Sequence, residues 1–366
     1  MHGTLAKRIS SGDFAVGEYL PSERSLMAEF GVSRPTVRKA LQRLEREGLL
    51  ACHPGIGYEV VNTRRPERGN GSRLIGVIWA PGARSGHMDP RLPMIEEELS
   101  ARGYTMLLGF TGRELAAENK RIEAFAKQGV AGLIVLPAQS GSGASRLSEL
   151  IAEGFPVMAV GEPSRWCVGK RLAASCSFVG LDNALGSRLA LDRFAELGHR
   201  RIAFARCGAN PAMTRREQGY REWVAERGDD CDCQRILSCA VSPERIPVDQ
   251  LKALAADEGG GPTACLCETV AEAVSVAEGL RQMGASVPED VSLAAFFGGI
   301  GDEPPVGGRT LTGLDYSWQD FTREIVEGLI AQMANPSLVR RTLIRPRFVP
   351  GETLAPPAQA RSLSRE

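Results

Sequence analysis

Short apolar, β-branched or leucine-rich runs alternate with helical patterns through most of the chain, and this rhythm constrains the fold more than any other feature. Leu74–Trp79, Tyr104–Gly109, Gly132–Leu136 and Pro156–Val160 read as strands, interleaved with helices over Leu92–Arg102, Arg113–Gln128 and Ser145–Glu153. A continuous apolar run of four to eight residues suits a strand buried on both faces, and strands separated by helices form a parallel sheet. The rhythm then restarts: Arg201–Arg206, helix 214–227, Arg235–Cys239, helix 248–257, Thr263–Cys267, helix 269–283 and Val291–Phe297, with a last helix at 317–334 and a strand at Arg341–Val349. Two wound α/β subdomains are expected, and 366 residues suffice for them plus one small domain at about 100–200 residues per domain.

That small domain lies before a polar stretch, residues 62–72, which carries Pro66, Gly69 and Gly71 and no apolar periodicity, the composition of a linker. Lys plus Arg and Asp plus Glu balance at 44 each over the chain, so it is neither a polycation nor an acidic tail protein. The excess of base is local: residues 1–68 hold 11 Lys and Arg against 8 Asp and Glu. The 38 arginines against 6 lysines reflect composition at large and carry no function by themselves.

Within the small domain, Ser22 is placed to cap a short helix ending at Gly31, and Ser33 to cap the next. The tight Gly31-Val32 turn between them gives a helix-turn-helix. Val37, Leu41 and Leu44, at i, i+4 and i+7, are expected to face the core and to leave Arg34 and Arg38 on another face near the helix start. A recognition helix presents its N-terminal residues to the major groove, where arginine bridges guanine O6 and N7. On an isolated helix the same arginines would be solvated charges. Ala51–Val60 then supplies two short strand-like pieces around Gly55 and Gly57, a wing whose tip can approach phosphate closely.

Leu20-Pro-Ser-Glu-Arg24, Gly31-Val-Ser-Arg34, Thr36-Val-Arg38, Ala40-Leu41 and Gly48-Leu49 together resemble the winged helix-turn-helix head of GntR-type bacterial transcription regulators, over about residues 4–61. The resemblance implies DNA contacts from Arg24, Ser33, Arg34, Thr36, Arg38 and Gly55, with His53 beside the wing tip. Pro35 departs from the Thr or Ala of many members; proline is tolerated in a first helical turn, but a hydroxyl is lost.

Residues 73–350 resemble the effector-binding core of LacI-type repressors, which shares its fold with periplasmic sugar-binding proteins. The motifs are Val179-Gly-Leu-Asp-Asn183, Leu197-Gly-His-Arg-Arg-Ile-Ala203, Arg216-Glu-Gln-Gly-Tyr220 and Val287-Pro-Glu-Asp-Val-Ser292. The implied fold class is an α/β core of two Rossmann-like wound subdomains, of periplasmic binding protein type I, behind a small α+β winged-helix domain. Expected boundaries are 1–61 for the head, 62–72 for the linker and 73–350 for the core, with 351–366 as a disordered tail. Subdomain 1 takes about 73–197 and 300–335, and subdomain 2 takes 198–299 and 336–350, so crossovers are expected near Gly198–His199, Gly298–Gly301 and Pro336.

A small effector is expected in the cleft at the carboxyl ends of the strands. Asp182 and Arg216 match the motif's carboxylate and guanidinium, while Glu268 stands where Asn is usual and Phe297 where the family has an Asp. Trp79, with Trp166, Phe296 and Trp318, could stack on a ligand or fill core, and Asp182 could cap a helix or touch ligand.

The expectation is a cytoplasmic, homodimeric DNA-binding regulator, a repressor in the arrangement of arabinose-type repressors. It acts on a palindromic double-stranded DNA operator under control of a carbohydrate-like effector. Alternatives are a regulator whose cleft no longer binds a small molecule, which Phe297 and Glu268 would explain, and a ligand-binding protein with a vestigial head. An enzyme is not expected: there is no phosphate loop, HExxH or GxSxG motif, and Gly141–Arg146 lacks the third glycine of a dinucleotide loop. No cofactor is expected, and no metal: Cys231/Cys233 and Cys265/Cys267 have one-residue spacers and no nearby histidine. Nine scattered cysteines fit reduced thiols, the N-terminus lacks a secretory h-region, and no apolar run approaches the roughly 18–20 residues of a bilayer span.

Overall fold

The computed structural model describes residues 1–46, 49–53, 55–61, 72–79, 89–112, 114–138, 145–161, 175–207, 211–228, 235–239, 261–298 and 305–357. Outside them lie the linker except Ser72, the helix expected at 248–257, Pro54, Trp166, Cys231 and Cys233, most of the 141–146 loop and, except for Gly298, the crossover expected at Gly298–Gly301.

The head comprises α1 (His2–Ser10), α2 (Glu23–Phe30), α3 (Arg34–Arg46) and a hairpin of β1 (Leu50–His53) with β2 (Gly57–Val60). Ser22 caps α2 by accepting from the Ser25 amide, and Gly31 ends it in the left-handed region at φ 62°, a conformation open to glycine without a Cβ penalty. Val37, Leu41 and Leu44 are buried, as their spacing predicts, in one cluster with Leu5, Ile9, Leu26 and Val60. The hairpin pairs antiparallel, Leu50 with Val60 and His53 with Gly57. Helix α1 was not foreseen; Leu5 and Ile9, one turn apart, are its buried stripe.

The first body sheet runs β13 (Arg341–Ile344), β7 (Ser177–Leu181), β6 (Val157–Val160), β5 (Gly132–Val135), β3 (Leu74–Trp79) and β4 (Thr105–Phe110), all parallel. Around it lie α4 (Arg91–Ser100), α5 (Leu115–Lys127), α6 (Arg146–Ala152) and α10 (Trp318–Ala334). The second sheet runs β14 (Arg347–Val349), β12 (Thr312–Asp315), β11 (Ser292–Phe296), β10 (Ala264–Cys267), β8 (Ile202–Cys207) and β9 (Arg235–Cys239), parallel except for β14. Its helices are α7 (Asn183–Glu196), α8 (Pro211–Arg227) and α9 (Val270–Gln282). Strands β5, β6, β10 and β11 are buried along their whole length, which is why they read as apolar runs rather than alternations.

The subdomain boundaries differ from the expected ones. The chain leaves the first sheet at Asp182, because α7 packs on α8, β10, β12 and β14 of the second. It returns at Tyr316–Ser317, so β12 belongs to the second sheet and α10 to the first, and residues 300–335 are split between them. The single strand expected over Arg341–Val349 is two: β13 pairs with β7 and β14 with β12, so the third crossover is Arg345-Pro346 rather than Pro336. Proline lacks the N–H that a continuous strand would need there.

The expected disordered tail is also corrected for residues 351–357; 358–366 lie outside the described residues. Thr353 is buried, donates from Oγ1 to the Leu293 carbonyl at 2.7 Å and accepts from the Thr312 amide at 2.9 Å. The Ala355 carbonyl receives Ser292 Oγ at 2.9 Å and lies 2.8 Å from His199 Nε2. His199 therefore ties the end of the chain to the second sheet and does not sit at a crossover. Polar, proline-containing composition did not disclose these long-range bonds.

Helices α7 and α8 approach closely at Gly219, where a Cβ would fall 2.7 Å from the Ala184 carbonyl oxygen and 2.8 Å from its Cα. Backbone cannot yield as a side chain can, so Gly219→Ala is expected to destabilise by about 1–3 kcal/mol. Thermal melting of the variant against the parent checks this; an unchanged melting temperature would refute so close a packing.

Candidate nucleic-acid interface and ligand site

Arg34 and Arg38 lie one turn apart at the start of α3, with side chains 63% and 57% exposed. Each donates its Nε–H to Glu23 on α2, at 2.8 Å to Oε2 and 2.9 Å to Oε1. Those two bonds, Arg34 first, hold the Glu23 carboxyl below its ordinary pKa. Ser33 and Thr36 are exposed and their hydroxyls lie 2.9 Å apart, so Ser33 addresses the side chain of the first turn. Arg24 is exposed on α2 and has no hydrogen bond or ion pair among the described residues.

On the hairpin, His53 Nε2 lies 2.6 Å from Glu59 Oε2 and the imidazole meets Tyr19 edge-on, 5.8 Å between centroids. Gly55 occupies the turn at φ 81° with open space where a side chain would be. The fold thus gives the head an exposed guanidinium pair on its third helix and a bare glycine turn in its hairpin. Glu23 was missed in the sequence although it lies within the quoted motif, because the spacing of eleven and fifteen residues to Arg34 and Arg38 becomes contact only across the turn.

In the body, the carboxyl ends of the second sheet's strands collect a different set. Arg216, from α8, is buried; its Nε donates to Asn183 Oδ1 at 2.8 Å, its Nη1 donates to the Glu268 carbonyl, and its guanidinium carbon stands 4.1 Å from the Phe296 ring centroid. Burial pulls the guanidinium's pKa down, opposed by Tyr316, Glu268 and Glu272. Its Nη2 has no hydrogen-bond partner among the described residues, so it retains donors for an acceptor from outside.

Tyr316 reaches the same Asn183 Oδ1 at 3.3 Å and the Asp182 carbonyl at 3.4 Å, and burial raises its phenol above the ordinary range. Asp182 takes the capping role: its Oδ1 accepts from the Leu185 amide at 3.1 Å at the start of α7. Glu268 is buried beside Arg216 and offers it a backbone carbonyl. Asn183, Phe296 and Tyr316 complete the cluster; of these, only Phe296 was weighed from sequence as a ligand contact.

Phe297 and Trp79 are placed elsewhere. Phe297 turns to the α9 side of the sheet, where a Cβ on Gly313 would meet its ring at 2.3 Å. Alternation along a strand sends Phe296 and Phe297 to opposite faces, so Phe296 rather than Phe297 meets Arg216. Trp79 is fully buried in the first subdomain and donates from Nε1 to Asp89 Oδ2 at 3.1 Å. The Arg91 guanidinium lies 5.1 Å from the Trp79 ring centroid and 5.0 Å from that of Trp318, held by Asp89 at 2.8 and 2.5 Å. Arg91 thus takes a place against Trp79 that a ligand ring would need for stacking.

The first subdomain holds two further groups the sequence did not single out, Glu118 on α5 and Thr111 just after β4. Glu118 is buried, accepts from the Ala138 amide at 2.6 Å and has its pKa raised by burial; Thr111 Oγ1 is buried without a partner among the described residues. Neither lies in a recognisable motif.

Comparison with known proteins accords with both halves. Residues 3–60 match the model of bacterial regulatory proteins of the gntR family, and residues 191–354 match that of a periplasmic binding protein-like domain. An arabinose metabolism transcriptional repressor of Geobacillus stearothermophilus is 28% identical over 294 residues, 79% of this chain and 78% of that protein. The HTH-type transcriptional regulator MalR of Streptomyces coelicolor is 26% identical over 289 residues, covering 74% and 78% respectively.

Among solved structures, a LacI-family sugar-binding transcriptional regulator from Escherichia coli complexed with phosphate superposes with a TM-score of 0.62 at 18% identity, covering 78% of this chain and 99% of that one. A transcriptional regulator CelR–cellobiose complex does so with a TM-score of 0.62 at 21% identity, covering 92% and 100%. At such identities these likenesses speak for the fold. The chain joins a GntR-family DNA-binding domain at its N-terminus to a periplasmic binding protein-like body.

Proposed function

We propose that the chain is a sequence-specific DNA-binding transcriptional repressor, without enzymatic activity, that works in the cytoplasm as a homodimer. The observation that carries this reading is the third helix of the head, with Val37, Leu41 and Leu44 buried and Arg34 and Arg38 presented outward from its first turns. Terminal guanidinium nitrogens in that position can bridge guanine O6 and N7 in the major groove, while Arg24, Ser33 and Thr36 are exposed nearby in sequence for phosphate or base contacts. The bare turn at Gly55, with His53 beside it, suits close approach to the backbone. Two heads of a dimer would read two halves of a palindromic site.

The body is proposed to carry the effector at the carboxyl ends of its strands, a small polyhydroxylated or carbohydrate-like metabolite gripped by Arg216. The unspent Nη2 donors support this, with Phe296 against the guanidinium, Glu268 buried beside it and Asp182 at the neighbouring start of α7. The relatives named for arabinose metabolism and the neighbour holding cellobiose point to the same ligand class. Domain closure about the crossovers would then change the spacing of the heads.

Selection of bound sequences from random duplex DNA by the full-length protein, at fixed moderate salt, is expected to return a two-fold symmetric consensus. Arg34→Ala or Arg38→Ala is expected to weaken binding to that site by about 1–3 kcal/mol and to relax base preference at one position per half-site. Unchanged affinity in both variants would remove α3 as the recognition helix.

Arabinose, cellobiose and phosphate, tested singly by thermal shift, are expected to include a compound that raises the melting temperature, since a ligand of the folded state stabilises it by mass action. Arg216→Met is expected to abolish that shift. A shift that survives in Arg216→Met would place the ligand elsewhere, and no shift with a broader sugar panel would favour a body that no longer takes a small molecule.

A further inference from the structure

Glu23 spends both carboxylate oxygens on the two arginines of α3. Oε2 accepts from Arg34 Nε and Oε1 from Arg38 Nε, while the Glu23 side chain is itself 24% exposed. A guanidinium carries five N–H donors, and tying down Nε–H leaves the terminal Nη1 and Nη2 hydrogens as one outward fork. That fork is the edge that grips guanine O6 and N7 bidentately. One carboxylate shared between two guanidinium groups also halves their net charge, the quantity that attracts phosphate without regard to sequence.

We infer that Glu23 is a specificity-determining positioning residue, which fixes Arg34 and Arg38 for end-on reading of bases and screens them from indiscriminate phosphate contact. This rests on the DNA-binding reading of α3. An ordinary exposed ion pair contributes little to stability, so a purely structural Glu23 would leave DNA discrimination untouched.

The test uses the full-length protein, the duplex selected as above and a mixed-sequence duplex of equal length without that site. Glu23→Gln is expected to lower the ratio of selected to mixed-sequence affinity about tenfold, within the range one good bidentate contact provides. It is also expected to steepen the fall of mixed-sequence affinity with salt by a slope of about 1–2, at roughly 0.9 per added phosphate contact. Glu23→Asp keeps the charge but is too short to reach both Nε atoms, and is expected to lose discrimination while keeping the parent's salt slope.

In an Arg34→Ala/Arg38→Ala background, Glu23→Gln is expected to change nothing further. The inference is overturned if Glu23→Gln leaves ratio and slope at the parent's values, if Glu23→Asp retains full discrimination, or if the Glu23→Gln effect persists without the arginines. If Arg34→Ala/Arg38→Ala itself leaves the ratio unchanged, the recognition-helix reading fails and takes this inference with it.

Discussion

A guanidinium taken out of water keeps its charge and has to be hydrogen-bonded by its surroundings, and in the body of this protein that requirement falls on Arg216. The arrangement that meets it draws on four separate parts of the chain: Asn183 at the start of α7, the carbonyl of Glu268 after β10, Phe296 at the end of β11, and Tyr316 after β12. The Ser187 hydroxyl anchors the backbone beneath by donating to the Arg216 carbonyl at 2.7 Å. Removing one partner would leave a buried charge short of a bond, a heavier loss than deleting an exposed pair such as Arg193 with Glu196. Packing obeys the same demand. Gly186 carries no Cβ because one would lie 2.5 Å from the Phe296 ring, the ring on which the guanidinium rests.

Much of the fold was legible in the sequence wherever a strand is an uninterrupted short run of largely apolar residues. Leu74–Trp79 and Arg235–Cys239 have the very limits read from their apolar runs, and most other strands and helices shift by a residue or two. Strands β7 and β12 escaped that reading. Ser177-Phe-Val-Gly-Leu181 and Thr312-Gly-Leu-Asp315 are short and interrupted by glycine, and Gly313 is small because Phe297 and the Ala295 carbonyl stand where its Cβ would be. Their membership of one sheet or the other is a property of pairing, which local composition does not encode. The same holds for β13 and β14, one extended run in sequence and two sheets in space.

The candidate sites were legible to different degrees for a related reason. In the head, Arg34 and Arg38 follow from helical periodicity, since a buried stripe at Val37, Leu41 and Leu44 assigns the opposite face. In the body, resemblance located Asp182, Arg216 and Glu268 but not how their bonds are distributed. Asp182 spends its side chain on a helix cap, Glu268 offers its backbone to Arg216, and the ring that meets Arg216 is Phe296, weighed from sequence only as a stacking ring or core filler, one position before the motif residue Phe297. A one-residue error along a strand reverses the face, so substitution at a motif position says less about ligand contact than strand register does.

Among the described residues three chain crossovers join the subdomains, and the hydrogen bonds among them mark where a rotation would turn the chain. The Asp182 amide donates to the Ile344 carbonyl at 2.9 Å, linking the first crossover to the third, and Tyr316 at the second reaches the carbonyl of Asp182 and the side chain of Asn183. Asp315 and Arg347 pair at 2.6 Å across the last two. Rotation of one subdomain against the other must turn dihedrals at these few residues while the sheets on either side stay rigid. Asn183 Oδ1 belongs to this set and also receives Arg216 Nε. If the effector is held by Arg216 as proposed, its acceptor would act on a group already bonded into the crossovers, and would need no longer path of side chains to bias their geometry.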